Sequence, residues 1–466
     1  MNIKKYFKLN ENETDVKTEV LAGITMFMAM VFMLIVTTNI LGEAGMDKNG
    51  VFVATTLGAA ITCFLLGTMY NKVYIAGPST GIITYLTYTL VQDMGFSWEI
   101  GLLAVIIEAS ILLILALTNI TEDILHSIPD TLKYGISAGI GLFIAFIGLQ
   151  GAGIVIGDPQ SLIGIGDYRN PSVLLTIIGV IITGALMKKD VKGSILIGII
   201  ITYILAILSQ ILGWYIVNPS IGAYSLIPTQ LIDFNIISGL MNVSFHITNI
   251  SQITNSMNNI VFFMITIFVF LFIDISSSLS TVIGIDSQLN EINKHKILDE
   301  NYPKKESKLK EAIIPASIGS IISGLLGTTT MVTYLETAPG VAVGGRTGLA
   351  SIVTGACLLT CLIFSPIITI LPQFVVSPAI IIVGMMMIST LKLIDFDDVS
   401  EGLPGFLTFL FIPFTYDIGE GILLGIISYV LIKVLSGNIK DIKKGTWILF
   451  IFVLAMFLCI KFIYPI

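Results

Sequence analysis

Three carboxylates sit inside apolar stretches of this 466-residue chain, where a charge is hardest to keep. Glu108 lies in Val105-Ile-Ile-Glu-Ala-Ser110, Asp274 in Phe272-Ile-Asp-Ile-Ser-Ser-Ser-Leu-Ser-Thr281, and Glu336 in Thr333-Tyr-Leu-Glu-Thr-Ala-Pro339. An acid at mid-membrane costs at least about 2.5 kcal/mol, so it is a functional candidate by default. In apolar surroundings a carboxyl group can take up and release a proton near neutral pH. Ser277, Ser278 and Thr281 share or flank the face of Asp274 at helical spacing. Glu336 follows Thr328-Thr329-Thr330 and precedes Pro339-Gly340. Asp274 and Glu336 are therefore the candidates for substrate binding and proton coupling. Glu108 lies in a regular helical pattern and reads as a protonated, hydrogen-bonded residue. Asp417 and Glu420 read as solvated residues at a bend. Arg346, in Gly344-Gly-Arg-Thr-Gly348, reads as the fixed point of a turn at the cytoplasmic boundary.

Other chemistries find no support in the residues. There is no Walker A sequence, nucleotide-binding Gly loop, His-Glu-x-x-His or nucleophile elbow. His126, His246 and His295 are scattered, and Cys63, Cys357, Cys361 and Cys459 lie in apolar runs. No metal site, no cofactor and no enzyme activity are expected. A net charge of -7 argues against nucleic acid as a partner, because phosphate binding needs a Lys/Arg surplus.

The chain is 55 % apolar and 12 % charged, whereas soluble domains are about 25 % charged. That composition predicts an all-α polytopic protein of the cell membrane. Residues 1–17 are polar, and the apolar run that follows reads as a first span rather than a cleaved signal. Crossing takes roughly 20 apolar residues. On that measure the spans fall at about 20–41, 51–69, 74–92, 100–119, 133–151, 172–188, 193–216, 258–285, 311–327, 329–345, 347–371, 375–393, 403–436 and 446–464. Segments three and ten are poor as plain helices. The third opens with Ala76-Gly-Pro-Ser-Thr-Gly81, and the tenth mixes Thr, Pro and Gly from Thr329 to Gly345. Such backbone is tolerated at membrane depth only where protein or a cavity surrounds it. Two halves of seven would place both broken segments third, and an odd number of spans inverts the second half. Matching interrupted segments are the best sequence pointer to a transporter's central site. Their helix starts would present free N–H groups to a ligand.

Orientation follows from Lys and Arg. The N-terminus, Lys188-Lys189-Asp190-Val191-Lys192 and the Lys-rich loop 287–310 read as cytoplasmic, and the loop 218–257 as external. Lys440, Lys443 and Lys444 break this pattern if 403–436 crosses once; Pro404 and Pro413 allow a broken piece there.

Several strings make a further point. Thr18-Glu-Val-Leu-Ala-Gly-Ile-Thr25, the run Pro129 to Gly148, Leu326-Gly-Thr-Thr-Thr-Met-Val-Thr-Tyr-Leu-Glu336 and above all Glu336-Thr-Ala-Pro-Gly-Val-Ala-Val-Gly-Gly-Arg-Thr-Gly-Leu349 resemble AzgA-like purine permeases of the nucleobase–cation symporter family, over about residues 6–437. The resemblance implies a uracil-permease-type fold of fourteen spans in two inverted repeats, with a core and a gate part. It also implies proton-coupled uptake of adenine, guanine or hypoxanthine. Asp274 and Glu336 match the family's acids in spans eight and ten. Four polar positions depart. The span-one Asn is Thr37, the span-three Asn is Ile83, the second span-eight acid is Ser277, and the span-nine Asp falls at about Pro315 or Ala316.

The resulting expectation is a secondary transporter of a purine nucleobase, coupled to a proton rather than sodium. Its binding residues would be Glu336, Asp274, Ser79, Thr80, Gly81, Thr330, Thr37 and Ser277, with Gly340 also allowing close approach. The first repeat would comprise a core part, 1–132, and a gate part, 133–257; the second a core part, 258–372, and a gate part, 373–466. A homodimer is compatible with this fold. A carrier of another small solute or anion on the same fold, and a passive channel or sensor, remain as alternatives.

Overall fold

The computed structural model describes residues 3–118, 129–158, 162–191, 193–217, 225–227, 236–246, 257–292, 309–364, 366, 370–415 and 418–458. Among these, eight helices are long and apolar enough to cross a membrane, and Asn259–Ile275, Gly348–Phe364 and Val399–Thr415 are shorter apolar helices. His126, His295, Asp417, Cys459 and most of the loops 218–257 and 287–310 lie outside the described residues.

Helix α1 (Val16–Met30) starts on Asp15, whose side chain accepts the Thr18 N–H at 2.8 Å. That bond holds the Asp15 carboxyl below its ordinary range. After Val31 the same span continues as α2 (Phe32–Glu43), and α3 (Lys48–Met69) returns. The third segment begins with strand β1 (Ala76–Pro78), continues as α4 (Thr80–Thr84), and widens into a π-helix over Tyr85–Asp93. Helices α5 (Trp98–Leu117) and α6 (Asp130–Gly151) follow. A hairpin of β2 (Val155–Asp158) and β3 (Leu162–Ile165) leads to α7 (Pro171–Lys188), α8 (Ser194–Ile211) and short α9 (Ile236–Met241).

The second half opens with α10 (Met257–Ile292) and α11 (Lys310–Leu326). Its third segment is again broken: strand β4 (Met331–Thr333), a 3₁₀ turn at Leu335–Thr337, and α12 (Ala338–Ala342). Then come α13 (Gly348–Thr360), α14 (Gln373–Ile388), α15 (Val399–Thr415), α16 (Ile418–Leu435) and α17 (Lys444–Leu458).

The run 403–436, whose topology the sequence leaves open, breaks as Pro404, Pro413 and the bend at Asp417 and Glu420 allow. That run is two helices, α15 and α16, packed on each other. Lys433 near the end of α16 reaches Glu401 at 2.8 Å and Ser400 at 2.7 Å near the start of α15. Both ends of the pair therefore lie on one side. Asp398, just ahead of α15, accepts the Ser400 hydroxyl and N–H, which holds its carboxyl below the ordinary range. The hairpin brings Lys443 to a cavity of about 200 Å³ shared with Pro129, Asp130, Glu401, Tyr429 and Asp441. Lys440, Lys443 and Lys444 thus lie on the side where α15 starts, as the positive-inside pattern of the sequence requires. The second set of seven ends at Leu435, and α17 follows it.

Close helix crossings are made by glycine. Membrane helices lack a hydrophobic drive toward each other and associate through small residues that let backbones approach. A Cβ at Gly348 would lie 2.1 Å from the Gly67 carbonyl oxygen, so α13 and α3 touch backbone to backbone. Helices α6 and α14 do the same, a Cβ at Gly384 falling 2.4 Å from the Gly141 carbonyl. Gly348→Val is expected to cost about 1–3 kcal/mol through overpacking, read as a lower melting temperature of the detergent-solubilised protein; melting like the parent would show that α3 and α13 are not locked at this point.

Candidate functional site

The two broken segments meet. β1 and β4 pair antiparallel, Ala76 opposite Thr333, Gly77 opposite Val332 and Pro78 opposite Met331. Ser79 N–H donates to the Thr330 carbonyl at 2.9 Å, and Tyr334 N–H to the Ile75 carbonyl at 3.0 Å. A two-stranded ladder leaves its outer backbone groups open, and side chains close them. Thr281 Oγ1 donates to the Thr333 carbonyl at 2.9 Å. Ser320 Oγ accepts the Met331 N–H at 2.9 Å. The Tyr334 hydroxyl donates to the Pro78 carbonyl. Thr337 Oγ1 donates to the Tyr334 carbonyl at 2.7 Å and accepts the Ile75 N–H at 3.2 Å.

Each strand ends by starting a helix. No side chain caps the start of α4 at Ser79, so its first N–H groups keep donor capacity. Helix α10 packs against β4, the turn Leu335–Thr337, α4 and α5, and so joins all parts of the site. Asp274, Ser278 and Thr281 recur at i, i+4 and i+7 on one face of it. Asp274 Oδ1 accepts the Ser278 hydroxyl at 3.1 Å; Ser277, expected in that role, is half-buried beside it.

The expected residues fall into two environments. Asp274, Ser79, Gly81, Thr330 and Thr37 are buried, while Thr80, Ser277 and Glu336 are half-buried. Among the described residues no other side chain hydrogen-bonds the Glu336 carboxylate, which lies beside its own backbone N–H. Leu335 next to it is 52 % exposed, so the turn borders open space. Thr80 Oγ1 points to Met387 Sδ at 3.9 Å. A Cβ at Gly81 would lie 3.0 Å from Ile273 and 3.3 Å from Ile140, so close approach is required there. Gly340 meets helix α1 instead: a Cβ there would lie 2.3 Å from Met26. Thr37 Oγ1 is buried with no hydrogen-bond partner among the described residues.

Thr330 turns to a residue the sequence leaves in the background. Its Oγ1 donates to Glu108 Oε2 at 3.2 Å. Glu108 is fully buried, and its carboxyl faces that of Asp274 within hydrogen-bonding reach. Its position in an apolar run was the available signal; the partner on α10 was not readable.

Arg346 makes the turn expected of it. Its Nη1 donates to the Val341 and Gly345 carbonyls, both at 2.7 Å. Buried Glu19 on α1 completes the turn by accepting the N–H groups of Arg346 at 2.8 Å, Thr347 at 3.3 Å and Ala350 at 3.2 Å. An acid at a helix start satisfies free donors and complements the dipole; here it ties α13 to α1.

Two broken, mutually paired segments between apolar helices define a multi-pass membrane transport protein. The sequence pattern of the Permease family (Xan_ur_permease) matches residues 17–435, and the chain belongs to that family. Adenine permease AdeP of Escherichia coli is 32 % identical over 95 % of this chain and 92 % of its own length. Guanine/hypoxanthine permease PbuG of Bacillus subtilis is 32 % identical over 98 % of this chain and all of its own. The solved transmembrane domain of the cyanobacterium bicarbonate transporter BicA shares the fold, with a TM-score of 0.61 at 16 % identity, over 89 % of this chain and 97 % of its own.

The Glu19 anchor can be tested alone. Glu19→Ala leaves the Arg346 and Thr347 N–H groups without their acceptor, at about 1–3 kcal/mol for each one left unsatisfied in a buried setting, while the Ala350 N–H keeps the Thr347 carbonyl. The expected outcome is a lower melting temperature in detergent, with Glu19→Gln losing less. Equal melting of parent and both variants would remove the anchoring role.

Proposed function

We propose that this permease takes a purine nucleobase (adenine, guanine or hypoxanthine) into the cell in symport with a proton. The observation that carries the reading is Glu336: a carboxylate at membrane depth, half-buried, bordering open space and engaged by no other described side chain. A purine offers ring N–H groups, which a carboxylate accepts in strong, charge-assisted bonds. It also offers ring nitrogens or a carbonyl, which the N–H groups at the start of α4 (Thr80, Gly81) can meet. Ser79, Thr37 and Ser277 add polar lining, and Asp274 handles the proton. The names of the relatives AdeP and PbuG support a purine as cargo.

In this reading residues 1–132 and 258–372 form a core that holds the substrate. Residues 133–257 and 373–466 form a gate against which the core moves. An anion is disfavoured as cargo. Glu336 would repel it, and Thr329 to Gly345 contains neither Lys nor Arg.

The test is uptake of labelled adenine, guanine, hypoxanthine, xanthine and uracil by cells lacking their own nucleobase carriers. The expected outcome is accumulation of a purine that a protonophore abolishes. Glu336→Gln should weaken uptake by about 10- to 100-fold, the worth of a charge-assisted hydrogen bond. Absence of uptake of every base, with the protein present in the membrane, would overturn the reading.

A further inference from the structure

We infer that Glu108 is the partner with which Asp274 holds the coupled proton, and that Thr330 links this pair to the substrate side. The inference rests on the symport reading above. Both carboxyl groups are wholly buried. Each has one oxygen engaged by a hydroxyl: Glu108 Oε2 by Thr330 at 3.2 Å, and Asp274 Oδ1 by Ser278 at 3.1 Å. The other two oxygens, Glu108 Oε1 and Asp274 Oδ2, meet no N–H or O–H donor among the described residues. The carboxyls face each other within hydrogen-bonding reach. One proton between Oε1 and Oδ2 gives both oxygens a partner. Without it, two like charges would lie side by side in a buried setting.

The surroundings supply no other compensation. The groups acting on Glu108 are Asp274 and Thr330, and those acting on Asp274 are Ser278 and Glu108. Helix α11, packed on α5, contributes the uncharged hydroxyls of Ser317, Ser320 and Ser323. Among the described residues no Lys, Arg or His faces the pair. It therefore alternates between one shared proton, with net charge -1, and two protons, with net charge zero. The second proton enters from one side of the membrane and leaves to the other.

The pair is also wired to the substrate region. Thr330 gives its hydroxyl to Glu108 while its carbonyl accepts the Ser79 N–H at 2.9 Å. Ser79 precedes the start of α4, where the purine is placed. Glu336 is not a member of the pair. Binding through Glu336 and proton handling through Glu108 and Asp274 are thus separable.

Proteoliposomes test this with two assays: exchange of labelled purine at equal pH, and accumulation driven by an inward proton gradient. The parent should do both, and Glu336→Gln should lose both. Glu108→Gln should keep exchange within about threefold while accumulation falls at least about tenfold and loses its pH dependence, the split expected of a coupling group. Parent-like accumulation with an unchanged pH profile in Glu108→Gln overturns the assignment, and so does equal loss of both activities. Glu108→Asp keeps the acid but withdraws it by one methylene. It should accumulate substrate with a displaced pH profile even if Glu108→Gln does not reach the membrane, and an unchanged profile again overturns the assignment. A parent chain that exchanges no purine overturns the function proposed above, a result distinct from all of these.

Discussion

Backbone polar groups at membrane depth have no water to turn to, and the site exists because of how this chain meets that constraint. An unpaired group costs several kcal/mol there, far more than the roughly 1 kcal/mol a hydrogen bond returns in water. Segments three and ten leave the helix, and each becomes the other's solution through the β1–β4 ladder. Two three-residue strands cannot satisfy themselves, so Thr281, Ser320, Thr337 and Tyr334 supply bonds to their outer edges. These four side chains come from the second half of the chain, and Cys63 of the first half accepts the Ala76 N–H at 3.5 Å. The ladder thereby gathers α10 and α11, and α5 behind them, around one point. It also ends β1 where α4 begins, and α4 starts without a side-chain cap.

Around that point the acids are sorted by what their oxygens can reach. Glu336 borders open space and has no other side-chain partner among the described residues, which suits a group that must accept bonds from an incoming molecule. Glu108 and Asp274 are buried and interact directly, which suits groups that handle a proton apart from the substrate. Segregating the two tasks keeps a polar substrate from competing for the proton's site. The connection between them is short: one residue, Thr330, and one strand register.

Much of this was legible in the sequence, and the limits have physical causes. The broken segments showed because Gly, Pro and hydroxyl residues at Ala76–Gly81 and Thr329–Gly345 disagree with their apolar surroundings. The turn at Arg346 showed because glycines bracket a lone cation. Its anchor did not, because Glu19 sits 327 residues earlier. The hairpin of α15 and α16 lay within one candidate segment, where Asp417 and Glu420 marked a bend but not whether the chain turned back. The misplaced Lys440, Lys443 and Lys444 pointed to a return crossing, since charge reports sidedness and hydropathy does not. Glu108 was visible as an acid, but helical periodicity says nothing about which neighbour a face will meet. Ser277 and Ser278 lie one residue apart, and the 100° between them decides which one bonds Asp274.

Beside the site, the contacts across the proposed division of core and gate differ in kind from those inside either part. Within the core, hydroxyls and carboxylates bond backbone: Glu19 to α13, Thr281 to β4, Thr337 to Ile75. Within the gate, backbones touch at Gly141 and Gly384, and at Gly135 and Gly405. Beside the site the contacts across the division are apolar or soft, whereas away from it Asn242 donates to Asp47 at 3.3 Å, Phe245 N–H to the Leu325 carbonyl at 2.8 Å and Thr131 to the Glu401 carbonyl at 2.8 Å. Gly81 lies under Ile140, Thr80 meets the Met387 thioether at 3.9 Å, and Tyr88 meets Phe143 edge-on. A thioether contact is worth little and bends easily, and apolar surfaces slide without leaving a polar group unpaired. Directional bonds would have to break on each transport cycle, at a cost the interior could not recover until they reformed. Leaving the seam beside the site to dispersion, with directional bonds inside the core, suits a site that stays assembled while its access changes.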